Sequence, residues 1–222
     1  MTLKKIRQRE VFLESEADAW FDRNHEALTR RRYDEDPLCA SVVEIYPTLQ
    51  GEGKSPAILE IGCGEGKRLA WIASRLGAQV AGIDPSAKAV AEARATGIDV
   101  RQGTAEMLPW QDASFDIVIF GFCLYLCDPE DLFRIAAEAD RVLKPESWLL
   151  IQDFHATSHT RRAYHHRPGI YSTKMDYRRL FDWHPAYTCY AHRVTAHGLR
   201  EFTDDAQEWV ATSTLRKRAL DL

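Results

Sequence analysis

The sequence predicts an α/β fold, a doubly wound and mostly parallel sheet preceded by N-terminal helices. Three observations predict it. Short apolar runs alternate with helical patterns between residues 57 and 154, a glycine-rich loop follows the first run, and an acidic residue closes the second. Strands that alternate with helices are typical of a parallel sheet with helices on both faces. We therefore expect ligands to bind at the carboxyl ends of the strands.

The strands and helices of this core follow in regular order. The apolar runs predict strands at residues 57–61, 79–83, 98–102, 115–120 and 148–154. The spacing of apolar residues predicts helices after the glycine-rich loop, over 86–95 and over 128–143. Residues 144–147 are predicted to form the turn into the fifth strand.

The segment before the core lacks this alternation. We expect residues 1–14 to be an irregular lead-in and a helix to begin at Ser15, with Asp18 in its capping box. A second helix is predicted from 37 to about 49. Residues 1–54 are therefore expected to form an N-terminal helical cap on the core domain.

The core domain is expected to extend over residues 55–222, but the regular alternation of strands and helices ends after residue 154. Residues 155–188 are rich in His, Arg, Tyr and Pro, and we expect them to form an insertion or lid on the substrate side. A short helix is predicted within it at 174–182. Two β-runs at 189–197 and 208–215 predict an antiparallel hairpin on the sheet edge.

Composition limits the classes of partner. The chain has 222 residues and a formal charge of -4, so it has no basic bias that would favour nucleic acid. Its longest apolar run, 117–127, is too short to span a bilayer, and the N-terminus shows no secretory signal. Five cysteines without a CxxC pair indicate reduced thiols and a cytoplasmic protein.

The loop after the first strand carries Gly62, Gly64 and Gly66. Such a loop between a buried strand and a helix is typical of a nucleotide-binding βαβ unit, because bare backbone can approach the ligand. Asp84 stands at the carboxyl end of the second strand, where an acidic side chain accepts hydrogen bonds from ribose hydroxyls. The alternative is a helix N-cap, a role that Asp84 or Ser86 could fill.

Two families of adenosine ligand suit this arrangement. Nicotinamide enzymes use G-x-G-x-x-G, but Lys67 stands at the third glycine position of that pattern and Gly66 comes one residue early. The sequence matches another pattern in five ordered segments, at 58–66, 82–86, 103–109, 115–120 and 141–145. In these segments it resembles the class I S-adenosylmethionine-dependent methyltransferases, of the small-molecule type that includes quinone-ring methyltransferases.

The resemblance implies a Rossmann-like, seven-stranded sheet with only the last strand antiparallel, and S-adenosyl-L-methionine as cofactor. It implies that the three loop glycines face the methionine part and the ribose, and that Asp84 holds the ribose. The adenine is expected beside Ala105 and Glu106, although Thr104 stands where the family often has Asp. The residues expected to bind the cofactor are Glu60, Gly62, Cys63, Gly64, Gly66, Asp84, Pro85, Thr104, Ala105, Glu106, Phe120, Gly121 and Phe122.

Methyl transfer to an alcohol or ammonium group also requires loss of a proton. A general base contributes about 10²–10⁴-fold, and candidates are expected after the fourth and fifth strands. Tyr125 follows the fourth strand and His155 the fifth, and the ordinary pKa of histidine suits a base. Tyr125 and His155 are therefore the predicted catalytic residues; the alternatives are a packed aromatic ring and a structural or solvated histidine.

The segments 20–24, 122–126 and 171–177 resemble a bacterial subgroup of these enzymes that is associated with surface-polysaccharide or small-metabolite pathways. The predicted substrate-binding residues in and near them are Trp20, Asn24, Tyr171 and Tyr177. The alternative is that each of these side chains packs in the core or an interface.

Three histidines, His159, His165 and His166, lie among arginines in residues 159–167. They lack the repeated spacing and the neighbouring carboxylates of a metal site, so no metal is predicted. A solvated lid or a patch that binds phosphate or carboxylate groups is the expected alternative, because arginine side chains suit both anions.

The predicted function is S-adenosylmethionine-dependent methylation of O or N in a small-molecule acceptor, such as a sugar or an anionic metabolite. No nucleic-acid or membrane partner is expected. Two alternatives stay open, a nicotinamide-dependent oxidoreductase and a non-catalytic module that uses the same fold to bind a partner protein.

Overall fold

Nine strands form two sheets in residues 7–49 and 55–220, the parts of the chain that the computed structural model describes. The strands are β1 Ala57–Ile61, β2 Gln79–Asp84, β3 Asp99–Gln102, β4 Phe115–Gly121, β5 Leu143–Phe154, β6 Thr160–Ala163, β7 Tyr171–Lys174, β8 Tyr187–Ala196 and β9 Trp209–Lys217. The large sheet has seven strands in the order β3-β2-β1-β4-β5-β9-β8. Strands β6 and β7 pair separately as an antiparallel hairpin.

Strands β1 to β5 run parallel to one another, and β9 is antiparallel to both of its neighbours. The predicted seven-stranded, mostly parallel sheet with an antiparallel last strand is therefore confirmed. The edge hairpin is also as predicted, with β9 on the inner side, next to β5. Because the chain order reverses beside β1, the space above the ends of β1 and β4 is the expected binding crevice.

Helices cover both faces of the sheet. They are α1 Gln8–Val11, α2 Ala17–Thr29, α3 Pro37–Ile45, α4 Lys67–Leu76, α5 Ala87–Ala95 and α6 Leu132–Val142. On one face, Ile135 of α6 belongs to the same apolar cluster as Leu59 and Val118 of the sheet. On the other face, Val42 of α3 and Ile72 of α4 belong to a second cluster. This is the doubly wound arrangement that the alternating pattern predicts.

The N-terminal helical segment begins earlier than predicted. Residues 8–29 are helical throughout, because a π-helical turn, Phe12–Glu16, joins α1 to α2. The expected lead-in is therefore wrong for residues 8–14, and Ser15 does not start a helix. Asp18 does not complete a capping box either: its carboxylate accepts hydrogen bonds from Ser86 Oγ over 2.7 Å and Lys88 N over 3.1 Å.

Two local predictions after β4 are also wrong. Residues 144–147 belong to β5, where a register shift and the positive φ of Glu146, 54°, form an irregularity instead of a turn. The predicted helix at 174–182 is reduced to the 3-10 turn Tyr177–Leu180. The β6–β7 hairpin was not predicted.

The boundary predicted between the helical cap and the core domain falls at residues 50–54, outside the described residues. The division into these two units stays a prediction. Among the helices of the described parts, none is both long enough and apolar enough to cross a bilayer.

Candidate cofactor-binding site

A cleft opens at the carboxyl ends of β1, β2 and β4, and the N-terminal helical segment forms one of its walls. Eleven of the predicted cofactor residues line it, namely Glu60, Gly62, Cys63, Gly64, Asp84, Pro85, Thr104, Ala105, Glu106, Gly121 and Phe122. Phe120 does not line the cleft, because its side chain is fully buried in the core.

The glycine-rich loop has a backbone that side chains would obstruct. Gly62 has a φ of +75°, and a Cβ atom there would lie 2.5 Å from Cys123 Cβ. Gly64 has a φ of +54°, and a Cβ atom there would have no neighbour within 4 Å. Since Gly64 also lines the cleft, its missing side chain leaves space that a ligand can fill.

Gly66 has a different place in the structure. It precedes α4 with a φ of +71°, and a Cβ atom there would lie 3.3 Å from both Ala93 and Ile98. It does not line the cleft. The close packing of the loop against α5 and the segment before β3 accounts for this glycine, and its predicted contact with the cofactor stays a prediction.

Asp84 connects the glycine-rich loop after β1 to the loop after β2. Its Oδ2 accepts a hydrogen bond from Gly64 N over 2.8 Å, and its Oδ1 accepts one from Ser86 N over 2.9 Å. Burial raises the pKa of Asp84 to about 6, against the lowering effect of these hydrogen bonds. The N-cap of α5 is Ser86, whose Oγ accepts from Ala89 N over 3.1 Å.

Glu60 lies at the other end of the loop in a buried ionic network. Its Oε1 accepts a hydrogen bond from Arg68, which also contacts Asp36 Oδ2 over 3.1 Å. Its Oε2 is buried and has no hydrogen-bond partner among the described residues. Burial raises the pKa of Glu60 to about 7. A Cβ atom on Gly121 would lie 2.6 Å from Arg68 Nη1, so only glycine leaves room for this network.

The side of the cleft near β3 carries another buried carboxylate. Thr104 Oγ1 donates a hydrogen bond to Glu106 Oε1 over 2.7 Å, and Arg9 of the N-terminal helical segment lies 3.6 Å from the same oxygen. Both Ala105 and Glu106 are buried. Thr104 therefore orients Glu106, whose carboxylate is a suitable acceptor for an exocyclic amine.

Phe122, just after β4, has a strained backbone. Its φ is +57°, which is rare for a bulky residue and costs on the order of 1–3 kcal/mol. Its N–H donates to Gln152 O over 2.8 Å, and its ring packs edge-on against Phe154. The strain holds an aromatic ring at the cleft.

The predicted substrate-binding residues do not come together. Trp20 lines the cleft, whereas Asn24 donates to Trp20 O over 2.8 Å on its own helix. Tyr177 is buried, and its hydroxyl donates to Thr173 O over 3.0 Å. Tyr171 lies under the guanidinium group of Arg161. Asn24, Tyr171 and Tyr177 do not line the cleft, and their contact with an acceptor stays a prediction.

Neither of the two predicted bases lines the cleft. Tyr125 contacts its wall, because the hydroxyl accepts a hydrogen bond from Trp20 Nε1 over 3.2 Å. Burial raises the pKa of Tyr125 well above the ordinary value. His155 is buried elsewhere, with its ring against His192 and Trp209, and does not line the cleft. Burial lowers the pKa of His155.

Several residues that line the cleft were not predicted, among them Arg9, Phe12, Arg31, Arg68, Cys123 and Asp131. For Arg68 the sequence did contain a signal. It precedes Ile72 and Leu76 at intervals of four residues, so a charged side chain interrupts the apolar face of α4. The others come from the helical residues 8–14, from loops and, for Asp131, from the 3-10 turn that precedes α6, and no local pattern shows that they face a cleft.

Comparison with known proteins decides the family of the core. A family model described as a methyltransferase domain matches residues 59–151. This part of the chain is a methyltransferase domain. Its matched residues include the glycine-rich loop, Asp84 and Glu106.

Relatives with assigned names match only part of the chain. A demethylmenaquinone methyltransferase of Chlorobaculum tepidum is 38% identical over 99 residues, which cover 44% of this chain and 40% of that protein. An indolepyruvate C-methyltransferase of Streptomyces griseus is 32% identical over 123 residues, covering 51% and 36%. The matched stretches span less than half the length of these relatives, so the similarity concerns the methyltransferase domain.

Solved structures extend the likeness of the fold to the whole chain. The 1,6-didemethyltoxoflavin-N1-methyltransferase of Burkholderia thailandensis, solved with 1,6-didemethyltoxoflavin and S-adenosylhomocysteine, covers 99% of this chain with a TM-score of 0.70. The superposition covers 94% of that chain at 17% identity. A methyltransferase of Methanosarcina mazei gives a TM-score of 0.62 at 20% identity, covering 79% and 98%. The α/β methyltransferase fold is therefore shared.

Proposed function

We propose that this protein transfers the methyl group of S-adenosyl-L-methionine to O or N of a small-molecule acceptor. One observation carries the proposal. At the ends of β1 and β2, the cleft brings together the bare backbone of Gly64, the carboxylate of Asp84 and an unpaired carboxylate oxygen of Glu60. The methyltransferase domain and its fold support the same reaction.

The residues present fit this cofactor. Glu60 Oε2 is a buried acceptor that the ammonium group of the methionine part would satisfy. Asp84 has lone pairs left for ribose hydroxyls, because each of its oxygens accepts only one backbone hydrogen bond. Gly64 leaves the space above the loop free. When bound, the cofactor supplies an activated methyl group; the chain has to bind it, orient it and exclude water.

The acceptor is proposed to lie between the N-terminal helical segment and the end of β4. Phe12, Trp20 and Phe122 give this side of the cleft apolar walls. Holding the acceptor atom in line with the methyl group at about 3–3.5 Å supplies several kcal/mol of the barrier reduction. Of the two predicted catalytic residues we carry Tyr125 forward, as a hydroxyl group that orients the acceptor and not as a base, because it contacts Trp20 in the cleft wall and its raised pKa keeps it protonated.

Calorimetry on the full chain tests the cofactor. S-adenosylmethionine and S-adenosylhomocysteine are both expected to bind, and Asp84→Ala is expected to weaken binding at least tenfold. Asp99→Asn is the matched control, since Asp99 is an exposed carboxylate on the adjacent strand β3. Absence of binding at millimolar ligand would remove the proposal, and an unchanged affinity in Asp84→Ala would show that the ribose is held elsewhere.

A panel of acceptors, followed by mass spectrometry, tests the reaction. Neutral sugars, phosphorylated and carboxylated metabolites, amines and phenols should be included, because the predicted sugar or anionic acceptor is one class among these. Cofactor binding without transfer to any acceptor would favour the non-catalytic module. Enhanced NADH fluorescence on mixing would favour the oxidoreductase. A cytoplasmic location and a small-molecule partner belong to the same proposal.

A further inference from the structure

Two histidines and one carboxylate meet near the end of β5, outside the residues that line the cleft. His155 follows β5, His192 lies in β8, and Asp176 follows β7. One nitrogen of each histidine and one oxygen of Asp176 lie within 4.8 Å of one another. An ion with bonds of about 2.0–2.1 Å would hold such atoms roughly 3.3 Å apart, so small side-chain rotations suffice to bring them onto one ion.

Two of these side chains carry unpaired buried atoms. His155 is only 7% exposed, and its Nδ1 has no hydrogen-bond partner among the described residues. Asp176 Oδ1 is buried and equally unpaired. An unsatisfied buried polar atom costs about 1–3 kcal/mol. Two such atoms in one cluster therefore indicate a ligand that satisfies both.

The remaining atoms of the cluster are held in place by neighbours. His192 Nδ1 makes a hydrogen bond of 2.8 Å with Ser213 Oγ, which leaves the other ring nitrogen, Nε2, for a ligand. Arg178 Nη2 donates to Asp176 Oδ2 over 2.9 Å, which leaves Oδ1. Metal-binding histidines and carboxylates in proteins are usually fixed by such secondary hydrogen bonds.

We propose that His155, Asp176 and His192 bind a divalent transition-metal ion of the Zn²⁺ class. Two imidazoles and one carboxylate are a recurrent ligand set for such ions, with at least one coordination position left for water or another ligand. His192 is exposed, so the ion can enter from solvent. The positive charge of Arg178 beside Asp176 limits the affinity, since it repels a cation.

An ion at this site would fix the position of the segment between β5 and β8. Asp176 follows the β6–β7 hairpin, whereas His155 and His192 belong to the large sheet or adjoin it. An ion shared by all three would tie the predicted substrate-side segment to the sheet. The assignment differs from the prediction of no metal site, and it concerns other residues than the histidines of the segment 159–167.

The test uses the full chain after removal of metal with a chelator. Titration with zinc sulfate in a calorimeter is expected to show one site. Co²⁺ should give visible absorption bands of an ion coordinated by nitrogen and oxygen. His192→Ala and Asp176→Asn are each expected to weaken Zn²⁺ binding at least tenfold, and Zn²⁺ should raise the melting temperature of the unsubstituted chain more than that of either variant.

Two control variants separate this site from other Zn²⁺ ligands. His159→Ala removes an exposed histidine of the same segment, and Cys189→Ser removes an exposed thiol of β8. Both should keep the affinity of the unsubstituted chain. The proposal is overturned if no saturable binding occurs at millimolar Zn²⁺, or if His192→Ala and Asp176→Asn, folded by circular dichroism, bind as tightly as the controls.

Discussion

Asp84 Oδ2 accepts a hydrogen bond from the backbone of Gly64 over 2.8 Å, although 20 positions separate the two residues in the chain. The carboxylate thereby holds the loop after β1 against the end of β2. It also remains partly accessible at the cleft, where burial raises its pKa to about 6. One side chain thus shapes the loop and offers acceptors to a ligand.

The affinity for S-adenosylhomocysteine is expected to decrease at least tenfold from pH 7 to pH 5. Ribose hydroxyls and an ammonium group donate to ionised carboxylates, so binding favours the deprotonated forms of Asp84 and Glu60. Their pKa values in the free protein, about 6 and about 7, place the loss of affinity in this range. Calorimetry across the pH range measures it. Asp84→Asn should show a shallower decline, and a flat profile for the unsubstituted protein would contradict the assignment.

Gly64→Ala is expected to reduce cofactor affinity at least tenfold, whereas Gly77→Ala should leave it unchanged. Both glycines have positive φ, +54° and +67°, and a Cβ atom at either would have no neighbour within 4 Å. Each substitution should therefore lower the free energy of unfolding by a similar amount, about 1–2 kcal/mol. Only Gly64 faces the cleft. Equal affinities of the two variants would show that the cofactor does not approach this part of the loop.

Arg68→Met is expected to lower the free energy of unfolding by about 3–5 kcal/mol at neutral pH. It removes the guanidinium group that pairs with Glu60 and Asp36 and leaves two buried carboxylates together. The loss should be smaller at pH 5, where Glu60 is protonated. Urea denaturation measures both values. Arg32→Met, which breaks exposed ion pairs with Asp34 and Glu35, is the control and should change stability by less than about 1 kcal/mol.

Tyr125→Phe is expected to lower turnover at least tenfold and to leave the affinity for S-adenosylhomocysteine unchanged. The hydroxyl group contacts Trp20 in the cleft wall, on the side proposed for the acceptor. Tyr190→Phe removes an exposed hydroxyl that bonds to Glu44 and serves as control. Steady-state rates with an identified acceptor and calorimetry distinguish the two effects. A normal turnover number in Tyr125→Phe would exclude this hydroxyl from the reaction.

The sequence predicted the parts of the fold that rest on local patterns. The buried run before Gly62, the acidic residue that ends β2 and the alternation of strands and helices identified the sheet and the position of the cleft. The edge hairpin was predicted from two β-runs alone. In these segments the pattern of apolar residues agrees with the burial that the folded structure requires, so local and global preferences coincide.

Other features depend on contacts that a local pattern does not contain. The helical residues 8–14 carry mixed charges, and their position depends on contacts such as those between Arg9 and the carboxylates at the cleft. Three of the four residues of strand β6 are exposed and none alternates with a buried one, so nothing in its sequence favoured a strand. His155, Asp176 and His192 are spread over three segments, and only the tertiary structure brings them together.

The N-terminal helical segment is expected to slow the release of a bound ligand. It lines the cleft and contacts both of its sides, through Arg9 to Asp131 at 3.5 Å and through Asp18 to Ser86 at 2.7 Å. We expect a bound molecule the size of the cofactor to leave faster when these contacts separate. The residence time of the product should therefore shorten with increasing ionic strength, because salt screens the charged contact between Arg9 and Asp131.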